Sequence, residues 1–265
     1  MIPALRRRIS ANLSMLFTEL PLRDRFAAAR AAGFEAVEIQ FPYDLDADEL
    51  RRAAGDAKVS LVLFNVAAGD LLAGGDGLAC VPGAEAAFGD ALAQALDYVA
   101  ILEPRCLNLL AGRVPDAASR GECERLFVAH LARASAALVP TRTQLVVEPL
   151  NPFDMPRFLL SDHDQTAALL ARSGTRAKVQ YDVYHQARIG RDPLRDLGRD
   201  AASIAHIQFA DVPARTAPGT GELDFGAIFE AIAASDYGGF VGAEYKPNGP
   251  TEPTLEWFRT DASVR

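Results

Sequence analysis

Short apolar runs and longer amphipathic segments alternate eight times along the chain. A short run that is apolar on both faces is typical of a buried parallel strand, and the amphipathic segment after it is typical of a covering helix. Eight such units predict a closed (β/α)8 TIM barrel, an α/β fold, as a single domain over residues 1–265. The alternative, an open doubly wound sheet, usually carries a glycine-rich turn after its first strand, but Ser10–Glu19 contains no glycine.

The predicted strands are Arg8–Ser14, Phe34–Phe41, Val59–Val66, Arg105–Ala111, Thr143–Leu150, Ala177–His185, Ile204–Val212 and Gly239–Pro247. The predicted helices are Pro21–Ala32, Asp48–Ala57, Pro82 to about Leu102, Ala118–Leu138, Asp162–Arg172, a helix that begins at Pro193, and Phe225–Ala234.

Glycine and proline refine these boundaries. We expect Gly33 to close the first helix in the left-handed conformation that glycine tolerates. Pro82 is expected in the first turn of its helix, where a missing N–H costs nothing. The glycine-rich loop before it, Ala67–Val81, has a length that is typical of functional or mobile segments.

Composition narrows the classes of function. The net charge of −8 argues against a surface for nucleic acid or anionic membrane, which needs clustered Lys and Arg. No apolar run reaches the roughly 18 residues of a transmembrane helix, and the N-terminus lacks a signal-peptide pattern. Cys80, Cys106 and Cys123 are far apart and form no CxxC pair, so we expect no disulfides, no cysteine zinc site and a cytosolic location.

The last four predicted strands each carry a side-chain oxygen near their carboxyl end, where barrel enzymes place their catalytic groups. These residues are Glu148, Asp182, Gln208 and Glu244. Because neighbouring strands lie about 4.8 Å apart, the four tips can converge on one ion. Three carboxylates and an amide oxygen suit Mg²⁺ or Mn²⁺. Taken singly, Glu148 or Glu244 would more often be a salt-bridged barrel residue, and Gln208 a hydrogen-bonded core residue, but four such residues at four successive strand ends favour the metal site.

Other residues near the strand ends are candidates for binding substrate. His185 follows Asp182 and can donate a hydrogen bond, although stabilisation of a loop is an equal alternative. Arg215 and Lys246 can hold a carboxylate, with solvated surface charge as the alternative. Asn65, at the end of the third predicted strand, is a further candidate for facing the substrate.

His206 precedes Gln208 by two positions, so it points to the same face one layer deeper. We interpret it as a supporting or core residue, and we expect His130 and His163 to lie outside the chemistry.

Several stretches near the strand ends carry a family pattern, among them FNVAAGD, VVEPLNPFDMPRFLL, QYDVYHQAR, HIQFADVPART with PGTGELDF, and GFVGAEYKP. Together they resemble the hydroxypyruvate isomerase family of xylose-isomerase-like TIM barrels, from about Ser10 to Pro250. The resemblance implies a divalent-metal isomerase in which the four strand-end residues are the ligands. Two features depart from the pattern, Gln40 and the chain after Glu252.

The resemblance also implies roles for individual residues. Glu148 and Glu244 would be the acid/base pair, while His185 and Arg215 would help to hold the substrate. Such an enzyme interconverts hydroxypyruvate and 2-hydroxy-3-oxopropanoate (tartronate semialdehyde), so one C–H proton must leave and another must arrive. Two carboxylates that flank a planar enediolate suffice for this exchange. A hydride shift between the two carbons is the alternative.

Three other functions are alternatives for this sequence. An isomerase of a larger 2-oxo acid, such as 2-oxotetronate, or of a ketose would use the same chemistry in a different pocket. A zinc nuclease of this fold would need clustered histidines and a basic face, whereas the chain has four histidines and an acidic balance. A non-catalytic barrel is disfavoured by the intact set of four ligands. We expect a small 2-oxo acid or sugar-like substrate and a homo-oligomer.

Overall fold

The computed structural model describes residues 3–259, and within them eight parallel strands close into a barrel in sequence order. The last strand pairs with the first, with Ile9 opposite Val241 and Ala11 opposite Ala243. The predicted (β/α)8 fold is therefore confirmed. Residues 1–2 and 260–265 of the predicted single domain lie outside the described part, and its extent over 1–265 stays a prediction.

The strands are shorter than predicted but lie within the predicted ranges. They are β1 Ile9–Asn12, β2 Ala36–Ile39, β3 Ser60–Asn65, β4 Cys106–Asn108, β5 Gln144–Val147, β6 Lys178–Asp182, β7 Ile204–Phe209 and β8 Val241–Ala243.

Helices follow the strands on the outside of the barrel. In the described part they are α1 Pro3–Arg6, α2 Leu22–Ala32, α3 Ala47–Ala57, α4 Glu85–Leu102, α5 Arg120–Leu138, α6 His163–Ser173, α7 Val183–Arg188, α8 Pro193–Asp200, α9 Phe225–Ala234 and α10 Glu256–Arg259.

Local sequence explains several of these boundaries. Gly33 ends α2 with φ of 104°, a left-handed conformation that glycine adopts without strain, as predicted. Asp162 caps α6 by accepting a hydrogen bond from the Gln165 N–H. Pro193 lies in the first turn of α8, also as predicted.

Two predicted boundaries were wrong. Helix α4 begins at Glu85, so Pro82 lies in a turn that precedes it. The sixth strand ends at Asp182, and His185 lies on α7, which starts at the next residue. Asp182 causes this change because its carboxylate accepts a hydrogen bond from the Tyr184 N–H at 2.8 Å and caps the helix.

The interior of the barrel below the strand ends is divided into an apolar and a polar side. Leu63, Cys106 and Val146, on β3 to β5, belong to one small apolar cluster. The strands β1, β2, β6 and β7 instead carry buried polar side chains. These are Ser10, Glu38, Gln180 and His206. Buried polar groups of this kind need hydrogen-bond partners, and these lie toward the mouth of the barrel.

No helix within residues 3–259 is both long and apolar enough to cross a membrane. The three cysteines are buried and free. The predicted homo-oligomer stays a prediction.

We expect Phe258→Ala to destabilise the protein by about 3–5 kcal/mol, the usual cost of truncating a buried phenylalanine. Phe258 is 1 % exposed and stacks on Phe34 with ring centroids 4.2 Å apart. Urea unfolding measures the loss. Phe153→Ala is the matched control because that ring is 65 % exposed, and equal losses in the two variants would contradict the packing role of Phe258.

Candidate active site

The carboxyl ends of the strands surround a cavity of about 100 Å³. Sites for drug-sized ligands measure about 300–1,000 Å³, so this cavity suits a much smaller molecule. Its lining includes Gln40, Asn65, Glu148, Gln180, His185, Gln208, Arg215 and Glu244.

Glu148 and Asp182 lie side by side at the ends of β5 and β6. Glu148 accepts a hydrogen bond from Asn108 Nδ2 at 3.1 Å. Asp182 is fully buried, and its Oδ2 has no hydrogen-bond partner among the described residues. One ligand atom each from Glu148, Asp182 and His185 lies within 4.8 Å of the others. A buried carboxylate oxygen without a donor is costly unless a cation or a ligand satisfies it.

Arg215 lies opposite these carboxylates and pairs with Glu244. Its guanidinium donates to Glu244 Oε2 at 2.6 Å and lies 3.6 Å from Asp182 Oδ2. The carbon of the guanidinium stands 5.2 Å from the centre of the Tyr184 ring. Arg215 Nε is buried and has no partner among the described residues, so it is free to donate to a bound anion.

Asp211 fixes the loop that carries Arg215. Its buried carboxylate accepts four backbone N–H groups, from Val212, Gly219, Gly221 and Leu223. At Gly221 a Cβ atom would lie 2.1 Å from the carbonyl oxygen of Val212, so only glycine fits. Asp211 was not among the predicted site residues, although the Gly-Thr-Gly turn at residues 219–221 is a recognisable loop signal in the sequence.

Burial and neighbouring charges raise the pKa of all three carboxylates. Burial raises the pKa of Glu148 well above its ordinary value, and the charges of Glu244 and Asp182 raise it further. Burial also raises the pKa of Asp182, to about 7, with a contribution from Glu244 that Arg215 opposes. Burial raises the pKa of Glu244 too, while its ion pair with Arg215 lowers it. One guanidinium does not balance three carboxylates, so the site attracts further positive charge.

His185 is held as a neutral donor. Its Nδ1 accepts hydrogen bonds from the backbone N–H and the side-chain Nδ2 of Asn151, at 3.1 and 2.8 Å. A backbone N–H can only donate, so the proton of the neutral ring lies on Nε2, 3.6 Å from Asp182 Oδ2. Burial, helped by Arg215, lowers the pKa of His185 well below its ordinary value. Metal-bound histidines usually donate from their other nitrogen, so this arrangement favours a donor to substrate over a metal ligand.

Gln208 lies in a hydrogen-bonded chain with two residues that the sequence analysis missed. Its Oε1 accepts from Gln180 Nε2 at 2.6 Å, and its Nε2 donates to Glu38 Oε1 at 2.7 Å. His206 contacts the other oxygen of Glu38 at 2.9 Å, in agreement with its predicted place below Gln208. Burial opposes ionisation of Glu38, but His206 and the other donors outweigh it and lower the pKa.

The two remaining candidates differ in position. Asn65 lines the cavity, and its Oδ1 is buried without a partner among the described residues. The side chain of Lys246 is exposed, whereas its backbone N–H donates to the carbonyl of Arg215 at 2.7 Å. Binding of substrate by Lys246 stays a prediction.

Two strand-end asparagines were also missed. Asn12, on β1, donates to Glu244 Oε1 at 3.0 Å, and Asn108, on β4, donates to Glu148. Gln40, which departs from the family pattern, donates to the same oxygen of Glu244 at 2.6 Å. The rule that found Glu148 also applies to Asn12 and Asn108, because both are the last residue of their strand.

A second acidic group lies away from the cavity. His163, Asp164 and Asp200 each offer one atom within 4.8 Å of the others. Arg191 and Arg199 pair with these carboxylates, so positive charge is already present there.

Comparison with known proteins identifies relatives over nearly the whole chain. A family model described as xylose isomerase-like TIM barrel matches residues 26–261. The chain is 40 % identical to hydroxypyruvate isomerase of Escherichia coli, over 95 % of this chain and 98 % of that protein. It is 39 % identical to 2-oxo-tetronate isomerase of Cupriavidus necator, over 95 % and 97 % of the two chains.

Solved structures share the architecture. A crystal structure described as AP endonuclease, family 2, from Brucella melitensis superposes with a TM-score of 0.91 at 36 % identity, over 95 % of this chain and 98 % of that chain. A D-psicose 3-epimerase superposes with a TM-score of 0.76 at 17 % identity, over 97 % and 91 % of the two chains, and shows the fold alone.

We expect the melting temperature of the protein in EDTA to rise as the pH falls from about 8 to about 6.5. The pKa of folded Asp182 is about 7, against about 3.9 in an unfolded chain, so the folded state binds the proton more tightly. Lowering the pH through the folded pKa therefore stabilises the fold. Asp182→Asn should reduce this slope in calorimetric scans.

Asp116→Asn is the matched control, because the side chain of Asp116 is 92 % exposed. It also removes one carboxylate but should leave the slope unchanged. A slope in Asp182→Asn equal to that of the wild type would show that Asp182 does not titrate in this range.

Proposed function

Because this chain belongs to the xylose isomerase-like TIM barrel family, we propose that it is a divalent-metal isomerase that interconverts hydroxypyruvate and 2-hydroxy-3-oxopropanoate (tartronate semialdehyde). Its sequence identity of about 40 % to isomerases, over nearly their full length, supports isomerase as the enzyme class. The observation that carries the proposal is a group of three buried carboxylates around one guanidinium. Glu148 and Glu244 line the same small cavity, and Asp182 lies beside Glu148. Arg215 pairs with Glu244 and lies 3.6 Å from Asp182.

The residues at the strand ends fit a hard divalent cation. Glu148, Asp182, Gln208 and Glu244 offer oxygen donors, which Mg²⁺ and Mn²⁺ prefer. The unpartnered Oδ2 of Asp182 and the excess of carboxylates over guanidinium are the features that such an ion would satisfy. When bound, it would supply a Lewis acid that polarises a substrate carbonyl.

Glu148 and Glu244 are the proposed acid/base pair. They stand on β5 and β8, with β6 and β7 between them, and both line the cavity. One carboxylate would take the proton from the carbon that bears the hydroxyl, which leaves an enediolate. The other would return a proton to the neighbouring carbon. The hydroxyl proton passes from the first oxygen to the second in the same exchange, so that the carbonyl has moved by one position.

The two glutamates differ in their hydrogen bonds. Glu244 accepts from three donors, Asn12, Gln40 and Arg215, which stabilise its carboxylate. Glu148 accepts only from Asn108 among the contacts of the described residues. In the metal-free protein we therefore assign the resting proton to Glu148, the group with the poorer support for negative charge.

Arg215 and His185 would hold the substrate. The free N–H at Arg215 Nε suits a substrate carboxylate, because a guanidinium presents its donors in a planar fork. His185 Nε2–H would donate to a substrate oxygen, since Asn151 occupies the other ring nitrogen. The neutral ring adds no charge that would compete with a cation in the same cavity.

The choice among small substrates is part of the proposal. The identities of 40 % and 39 % to relatives with two different names do not separate hydroxypyruvate from 2-oxotetronate. The cavity of about 100 Å³ favours three- and four-carbon acids over a ketohexose. Turnover rates on 2-oxo acids and ketoses of three to six carbons would identify the preferred substrate. A preference for hexoses would contradict the assignment.

The name of the Brucella relative raises nuclease activity as a second candidate. The described cavity contains one histidine, His185, which is held as a donor, and the chain carries a net charge of −8. Binding of a phosphate backbone needs a basic surface, and clustered histidines are typical of zinc sites. These observations favour the isomerase.

We expect Glu148→Gln and Glu244→Gln to fold and to lose isomerase activity at least about 100-fold, the scale of a lost general acid or base. Circular dichroism checks the fold, and a coupled assay measures turnover. Glu85→Gln is the control because that side chain is exposed at the start of α4. Turnover close to that of the wild type in both site variants would contradict the acid/base assignment. Solvent deuterium in the product would support an enediolate, and its absence a hydride shift.

Removal of metal gives an independent check. We expect EDTA to abolish turnover and Mg²⁺ or Mn²⁺ to restore it, because no protein cation besides Arg215 faces the described carboxylates. Full activity after exhaustive chelation, with metal content verified by mass spectrometry, would rule out the metal model.

A further inference from the structure

Glu38 is a fully buried carboxylate near the centre of the barrel, below the cavity and outside its lining. Both of its oxygens are occupied. Oε2 accepts from Ser10 Oγ at 2.8 Å and contacts His206 Nε2 at 2.9 Å. Oε1 accepts from Gln208 Nε2 at 2.7 Å and from Asn12 Nδ2 at 3.2 Å. An ionised carboxylate can only accept, so each of these neighbours must turn a donor toward it.

Space for this carboxylate is built into the neighbouring strand. A Cβ atom at position 242 would lie 2.3 Å from Glu38 Oε2, so Gly242 on β8 leaves the room that the carboxylate occupies. The buried charge thus has four polar neighbours and a space that exists because position 242 has no Cβ atom. It costs desolvation that an apolar core residue would avoid.

One hydrogen-bonded path leads from Glu38 through two glutamines to the cavity. Because Gln208 must turn its NH₂ group toward Glu38, its carbonyl oxygen points the other way. Gln180 then has to donate to that oxygen, at 2.6 Å. The Oε1 of Gln180 is left buried and without a donor among the described residues, in the lining of the cavity. The path therefore presents amide oxygens, and not amide N–H groups, to the site.

A second path leads through Asn12 to Glu244. Asn12 Oδ1 accepts from the Ser14 N–H at 3.0 Å, which fixes the amide. Its Nδ2 is then shared between Glu38 Oε1 and Glu244 Oε1, at 3.2 and 3.0 Å. The same buried carboxylate thus borders on both Gln208 and Glu244, two residues of the proposed metal site.

We propose that Glu38 is a positioning residue that sets the direction of the amides of Gln208 and Gln180, so that their oxygens face the cation; this inference rests on the proposed metal-dependent function. Without the carboxylate, the Gln208 amide can turn over and place an NH₂ group where an oxygen is needed. An amide nitrogen carries no lone pair for a metal, so the affinity for the cation should fall.

The test is the Mn²⁺ dissociation constant of the full-length protein, measured by electron paramagnetic resonance titration. In Glu38→Gln, one acceptor oxygen remains where the carboxylate has two, so the side chain no longer obliges Gln208 to turn its NH₂ group toward it. Glu38→Asp keeps the charge and withdraws the carboxylate by one methylene, so it suits the case in which the glutamine variant does not fold. We expect Mn²⁺ binding to weaken about 10- to 100-fold, the usual effect of removing the partner of a metal ligand.

Ser10→Ala is the matched control, since Ser10 contacts Glu38 but neither Gln208 nor Glu244 among the described contacts. It should leave the dissociation constant within about twofold while losing a comparable hydrogen bond. A purely structural role of Glu38 would lower the melting temperature and leave Mn²⁺ affinity unchanged. Wild-type affinity in the folded aspartate variant, and in the glutamine variant if it folds, would overturn the proposal. Absence of Mn²⁺ binding in the wild type would instead refute the proposed function.

Discussion

The structure depends on the electrostatic imbalance at the carboxyl ends of β5, β6 and β8. Glu148, Asp182 and Glu244 are buried there around one guanidinium, that of Arg215. Buried carboxylates raise one another's pKa and compete for the same counter-ion. The fold tolerates this arrangement because eight strands and their covering helices fix the backbone around it. A divalent cation would turn the repulsion into coordination.

The residues around the three carboxylates have different roles: some donate hydrogen bonds to the glutamates, and Asn151 orients His185. Asn12 on β1 and Gln40 just after β2 donate to Glu244. Asn108 on β4 donates to Glu148 at the end of the neighbouring strand β5. Asn151 keeps His185 neutral and turned toward the cavity. These contacts come from loops and strands that are far apart in sequence, and a closed barrel is the feature that brings them to one mouth.

The sequence predicted the barrel and the four strand-end residues because both follow from local pattern. Apolar periodicity identifies strands, and their ends identify the mouth. It did not predict the role of Glu38, because in the sequence this residue is a single charge within the apolar run of β2. Its partner His206 is 168 residues away. His185 was placed on the strand because the buried apolar run continues through Val183 and Tyr184, although Asp182 caps the helix by a local hydrogen bond to the Tyr184 N–H. The exposure of the Lys246 side chain follows from the path of the loop after β8, and the residue type alone does not predict that path.

Anomalous diffraction from a crystal soaked in Mn²⁺ is the most direct test of the proposal that the three carboxylates hold a divalent cation. We expect one strong peak between Glu148, Asp182 and Glu244, with oxygen ligands at about 2.1 Å. A peak at the group of His163, Asp164 and Asp200, with none in the cavity, would contradict it.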